Sequence, residues 1–154
     1  MDHPAVELVN TVAWRGDPSR TVDRLTGPDE LRDLREVLHR LLTSVVEGAR
    51  PSTSDLAAIN AAALDARRRA TVADDLPLRW SPDADDALGR LALQAEDLLT
   101  DAAKLATLGR CGDTDCGWFF LDTSRSHTRR WCSSADCGNR ERARRHYARR
   151  RRLP

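Results

Sequence analysis

The chain has 154 residues, the size of one ordinary domain or of one domain with a small module attached. With 40% apolar residues it can bury a core, and with only 5% aromatic residues and eight glycines it is poorly suited to a sandwich or barrel, so helices are expected. The net charge of +1 conceals a split: residues 1–107 hold 13 basic against 19 acidic residues, a balance of −6, and residues 108–154 hold 12 arginines against 5 acids, a balance of +7. That is the pattern of an acidic body, 1–107, with a basic, anion-seeking end, 108–154. No apolar run approaches the roughly 18 residues of a membrane span. The acidic start, Met1 to Glu7, lacks the basic and apolar regions of a signal peptide. A cytoplasmic location is therefore expected, where thiols stay reduced.

In chain order, the apolar stretch Ala5 to Trp14 reads as one helix, followed by a loop at Gly16-Asp17-Pro18-Ser19. A second helix opens near Gly27-Pro28 with Asp29 and Glu30 in its first turn. Leu31, Leu34, Leu38, Leu41 and Val45 give it one buried stripe, and Gly48 and Pro51 end it. A third helix is capped by Ser52, with Leu56, Ile59 and Ala63 facing inward and Arg67-Arg68-Arg69 at its end. Residues 76–80 suit a short edge strand. Ser81-Pro82-Asp83 has the residue types that open a helix, and Leu88, Leu91, Ala95, Leu98, Ala102 and Leu105 continue its apolar face to Gly109.

From Cys111 the pattern changes to C-x4-C-x15-C-x4-C, with Cys111, Cys116, Cys132 and Cys137 as the only cysteines. Each short loop can present two thiolates to one metal. Trp118 to Leu121 reads as a strand, and Arg129-Arg130-Trp131 can return antiparallel to it, bringing both pairs to the base of a hairpin. Two disulfides or an iron–sulfur cluster would use the same four residues. The reducing compartment disfavours the first, and the twofold, knuckle-like arrangement suits zinc better than the second. One structural zinc is expected. Four thiolates fill its shell, and no Ser/His/Asp set, phosphate loop or HExxH helix appears elsewhere, so no enzymatic role is expected. The fold class is thus mainly α: an N-terminal helical bundle, then a small treble-clef or ribbon-like zinc finger made of a β-hairpin and a C-terminal helix.

That last helix should start at Cys137, and residues 138–152 carry eight arginines against one acid. Like charge at this density asks for an anion, and double-stranded DNA is the expected partner. Asn139 and Arg140 are residue types that read base edges. Arg129, Arg130, Arg142, Arg144, Arg145 and Arg149 are the further candidates, mainly for phosphates. RNA, or an acidic protein surface met by a zinc-stapled interaction module, are the competing partners, and salt-titrated binding separates them.

Residues Cys111 to Arg150 resemble the CGNR zinc finger, named for four residues that stand here as Cys137-Gly138-Asn139-Arg140. The match includes Cys116-Gly117-Trp118, Phe120-Leu121-Asp122, Ser124-Arg125, Arg129-Arg130-Trp131-Cys132 and Ala143-Arg144-Arg145-His146. Upstream, Leu8-Val9-Asn10-Thr11 resembles the opening motif of the ABATE domain, the usual partner of this finger. The resemblance implies a bacterial transcription regulator with a ligand-sensing helical domain, in which Asn10 and Thr11 line the ligand pocket. Ser134 departs from the family's Met, and Glu141-Arg142 from its Ala-Lys. The stretch between the opening motif and the helix of Leu34–Val46 is shorter than in the family, which implies a reduced pocket. Asn10 and Thr11 read better as a satisfied polar pair at a helix end or packing contact. His39 and the tryptophans read as packing residues, with Trp118 and Trp131 set between finger and body. His127 suits phosphate or water. A homodimer reading two half-sites is expected of such a regulator.

Overall fold

The computed structural model describes residues 3–151, and Arg152 of the basic run lies outside the described residues. The chain is mainly α, with the elements α1 (Pro4–Val9), β1 (Val12–Ala13), β2 (Val22–Asp23), α2 (Asp29–Glu47), α3 (Thr53–Arg69), β3 (Thr71–Val72), β4 (Trp80–Ser81), α4 (Ala87–Thr100), α5 (Ala102–Ala106), β5 (Leu108–Arg110), β6 (Phe119–Leu121) and α6 (Cys137–Arg150). The strands form three separate antiparallel pairs, β1–β2, β3–β4 and β5–β6. Helices α2, α3 and α4 pack together, with α1 against α2 and α4. Leu34, Leu38, Leu41 and Leu42 of α2 meet Ile59 and Ala66 of α3, Ala92, Ala95 and Leu98 of α4, and Val6 and Val9 of α1. The small alanines let α3 and α4 approach closely. Phe119 and Leu121 of β6 belong to this same cluster. The core therefore continues across residue 107 into the cysteine-bearing end.

Several boundaries differ from those read in the sequence, each for a local reason. Helix α1 stops at Val9, because Asn10 and Thr11 turn their side chains to other partners and Val12–Ala13 pair with Val22–Asp23. Trp14, expected as helical, has φ +59°. In α3, Leu56 points outward, 46% exposed, and its neighbour Asp55 is buried instead, where its carboxylate takes Nε and Nη2 of Arg40 at 2.9 and 2.7 Å. Ser81 does not cap α4. It lies in β4 opposite Thr71, and the cap falls to Asp86, which accepts from Gly89 N at 2.8 Å. The long apolar pattern of 88–105 is broken at Asp101, whose carboxylate caps the separate α5 by accepting from Lys104 N at 3.0 Å.

The hairpin is also built differently from the expected one. Strand β6 pairs with β5, Leu108 opposite Leu121 and Arg110 opposite Phe119, and not with Arg129–Trp131. Gly109 therefore sits in a strand and does not end a helix. A Cβ there would lie 2.7 Å from the Phe120 ring, so only glycine lets the strands close over it. Residues 129–131 run back beside the hairpin through isolated contacts: Arg129 N donates to Asp122 Oδ2 and Gly112 N to Arg130 O, at 2.9 and 2.8 Å.

Candidate metal centre

Hairpin β5–β6 holds the first cysteine pair in its connection. Cys111 N donates to Trp118 O and Cys116 N to Asp113 O, at 2.8 and 3.0 Å, so both thiols turn to one side. The second pair brackets the entry to α6, with Cys137 in its first turn and Gly138 N donating to Ser133 O at 3.0 Å. Arg129 ties this second loop to the hairpin. Its guanidinium donates to the carbonyls of Trp131, Leu121 and Cys132 and lies 4.5 Å over the Phe120 ring. The four Sγ atoms lie within 4.8 Å of one another, with Cys116–Cys132 at 3.6 Å and Cys132–Cys137 at 3.5 Å. All four cysteines are free of disulfides. A tetrahedral Zn–S bond of about 2.3 Å requires S···S separations of about 3.8 Å, so the cluster has the dimensions of a zinc thiolate site.

A ring of groups surrounds the sulfurs. Arg140 Nη2 donates to Cys137 Sγ at 2.7 Å and its Nε to Asp113 Oδ2 at 3.2 Å. Its guanidinium also lies 4.6 Å over the Trp14 ring, whose centre is 3.6 Å from the guanidinium of Arg20. Asp113, with its side chain 1% exposed, takes Arg144 as well at 3.6 Å. Asn139 Nδ2 donates to Ala135 O at 2.6 Å, and Asn139 Oδ1 accepts from Arg142.

The N-terminal segment clamps the finger from the other side. Asn10 behaves as a short strand: Nδ2 donates to Phe119 O and Oδ1 accepts from Phe119 N, both at 2.9 Å. Thr11 Oγ1 donates to Leu8 O at 2.7 Å and accepts from Arg35 at 3.1 Å. Trp118 Nε1 donates to Val12 O at 2.8 Å. Gly16 N donates to Asp115 O, and a Cβ at Gly16 would lie 1.8 Å from Thr114 O, so the 14–17 loop touches the first knuckle backbone to backbone. Trp131 packs on the cysteine cluster. Asp113 escaped the sequence reading, for which an acid inside a C-x4-C loop is only a weak signal; Trp14 read as a packing residue and Gly16 as part of a loop, but nothing local marks their contacts with the finger.

Two family models match the chain. One, "CGNR zinc finger", covers residues 107–150, and the other, ABATE, "Putative stress-induced transcription regulator", covers residues 2–102. The chain belongs to the ABATE family. No curated protein matches it. In this ABATE protein the matched finger and its four clustered cysteines hold one structural zinc. Cys111, Cys116, Cys132 and Cys137 are its ligands, and the metal supplies a fixed joint between hairpin and helix, with no open position for chemistry.

The arginines of the ABATE protein's basic end fall into two groups. Arg140, Arg144 and Arg145 meet Asp113, Asp115 and Glu141, Arg142 bonds Ser134 O and Asn139, and Arg129 is bound to the hairpin. Arg125, Arg130, Arg149, Arg150 and Arg151 have no acidic partner among the described residues, and Arg130 stacks 5.5 Å from the Trp131 ring. Beyond Gly138, helix α6 buries nothing. Beside the second cysteine loop, a trough of about 630 Å³ is lined by the hydroxyls of Ser124, Ser126, Thr128, Ser133 and Ser134 and by Arg130, without a carboxylate. His127, at φ +48°, stands in the loop that borders it. No helix among the described residues is long and apolar enough to cross a membrane.

Proposed function

We propose that the protein is a cytoplasmic DNA-binding transcription regulator whose zinc finger supplies the nucleic-acid surface and whose helical domain, 1–107, senses a small-molecule effector. One observation carries the DNA reading: the second cysteine loop, at the start of a helix that ends in the unpaired charges of Arg149, Arg150 and Arg151, borders a hydroxyl-rich trough that is lined by Arg130 and has no carboxylate in its wall. Phosphate oxygens are the anions that such donors fit. In this reading Arg125, Arg130, Arg149 and Arg150 contact phosphates. Arg140 and Asn139, engaged at the metal and the helix cap, set the direction of α6 and do not read bases. Arg142, Arg144 and Arg145 follow the groove once their present partners exchange for phosphate. A homodimer supplies two half-sites. The saturated thiolate shell supports a non-enzymatic role.

Fluorescence anisotropy against duplex DNA, duplex RNA and polyglutamate, titrated with salt, tests this. DNA should bind with a selectable sequence, and each phosphate contact removed should flatten the salt slope by about 0.9. Arg149→Ala with Arg150→Ala should lose close to two such contacts. Preference for polyglutamate would favour the protein-interaction reading, which the pairing of Arg140 and Arg144 with Asp113 and Asp115 makes the natural second choice.

A further inference from the structure

The four metal ligands are not equally covered. Cys111 and Cys116 are each 6% exposed and Cys137 1%, whereas Cys132 is only half-buried. Three surface clefts reach the site: the hydroxyl-rich trough and two smaller ones, of about 240 and 410 Å³. Cys132 stands in the wall of all three. Cys116 and Cys137 border only the smallest, and Cys111 borders none of them. Arg140 also closes over Cys137, donating Nη2 to its sulfur at 2.7 Å. Small reagents from solvent therefore meet Cys132 before the other ligands. Two sulfurs stand beside it, Cys137 at 3.5 Å and Cys116 at 3.6 Å. A disulfide bond measures about 2.05 Å, so either neighbour closes on Cys132 with a movement of about 1.5 Å. An accessible thiolate with a second thiolate in reach is the arrangement in which oxidation runs on to a disulfide.

We propose that Cys132 is a modification site: the one ligand that peroxide oxidises first, after which it joins Cys137 or Cys116 in a disulfide and the metal is lost. In the first step the Cys132 thiolate attacks hydrogen peroxide. An S–O bond forms, the O–O bond breaks, hydroxide leaves, and the sulfur is oxidised by two electrons to a sulfenic acid. In the second step the neighbouring thiolate attacks that sulfur. The S–S bond forms, the S–O bond breaks, and a second hydroxide leaves. Each hydroxide takes a proton from solvent, so two thiolates, one peroxide and two protons give one disulfide and two waters. Zinc keeps its oxidation state and departs because two of its four thiolates are gone. Residues 123–151 bury little besides Trp131, Cys137 and Gly138, so they lose the joint that seats them. The site is independent of which anion α6 meets.

The zinc-loaded full chain of natural sequence decides this, without a variant that could fail to fold. It is treated with substoichiometric iodoacetamide, and tandem mass spectrometry reads the label at each cysteine. Cys132 should be alkylated at least about fivefold faster than any other cysteine. The same reagent on metal-free chain in urea should label all four at similar rates, which shows that the preference comes from the fold. Hydrogen peroxide is then added in the presence of dimedone, which traps sulfenic acid, and the trapped adduct should sit on Cys132. Without dimedone, zinc release to a chromogenic chelator should keep pace with one disulfide that contains Cys132. Dithiothreitol followed by zinc should restore the circular-dichroism signal of α6. First labelling at another cysteine, equal labelling of all four in the zinc-loaded chain, a disulfide that lacks Cys132, or zinc retained after Cys132 is oxidised overturns the proposal.

Discussion

The amide of Asn10 does the work of a strand edge, satisfying both peptide groups of Phe119, a residue with no exposed surface. Asn10→Ala would leave a buried N–H and C=O without partners, at a cost of about 1–3 kcal/mol. Asn10→Asp should lose nearly as much, since a carboxylate cannot donate to Phe119 O. Urea denaturation followed by tryptophan fluorescence measures both. The neighbouring group on the other side of Phe119 is His39, its ring edge-on at 5.6 Å. Burial, reinforced by the charge of Arg15, pushes the imidazole down to about 4 from its ordinary 6.5, against the smaller opposing effect of Glu36. The folded chain thus resists a proton that the unfolded chain accepts. His39 contributes this stability fully above pH 6.5, and it is lost as pH falls from there through about 4. The midpoint of urea unfolding should decline across that window, and His39→Gln should flatten the decline.

Among the elements, the helices were the legible part. α2 announces itself through a leucine stripe that one buried face explains, and α6 through its start at a metal ligand. What was hidden depended on partners distant in sequence. Val9 ends α1 because Asn10 bonds a residue 109 positions away. The strand that completes the finger's hairpin is Leu108–Arg110, inside a stretch whose apolar spacing continues that of a helix. The cysteines were legible because ligand chemistry depends on spacing, whereas the bonds of Arg140 to Cys137 and Asp113 and of Asn139 to Ala135 depend on where a guanidinium and an amide turn after the knuckle closes. The observed hairpin also changes what losing a ligand should do. β5–β6 is held by Phe119 in the body's core, while residues 123–151 bury little beyond Trp131, Cys137 and Gly138. Cys132→Ser should therefore release the second loop and α6 but leave the hairpin in place. Trypsin should cut quickly after Arg125, Arg130 and the arginines of α6, and slowly after Arg110. Equal cleavage at Arg110 would show that the hairpin needs the metal.

For the whole molecule, one core serves both ends of the chain, and this makes their dependence unequal. The helical body closes on its own leucines and alanines, and zinc touches none of them. The finger, by contrast, hangs on Phe119 and on the Asn10, Trp14 and Gly16 contacts that the body provides. For residues 123–151 the free energy of metal binding is in large part the free energy of folding. A chelator should consequently remove the circular-dichroism signal of α6 and little else, leaving the thermal transition of α2–α4 in place. Phe119→Ala acts in the opposite direction. It deletes a fully buried ring shared by α1, α2 and the hairpin, and should cost about 3–5 kcal/mol. Because the hairpin carries Cys111 and Cys116, and Phe119 seats that hairpin in the body's core, the same change should loosen the zinc site. The variant should show a lower melting temperature for the body and faster zinc transfer to a chromogenic chelator. A body that melts as before, or zinc that is held as before, would mean that the two halves are energetically separate despite their shared core.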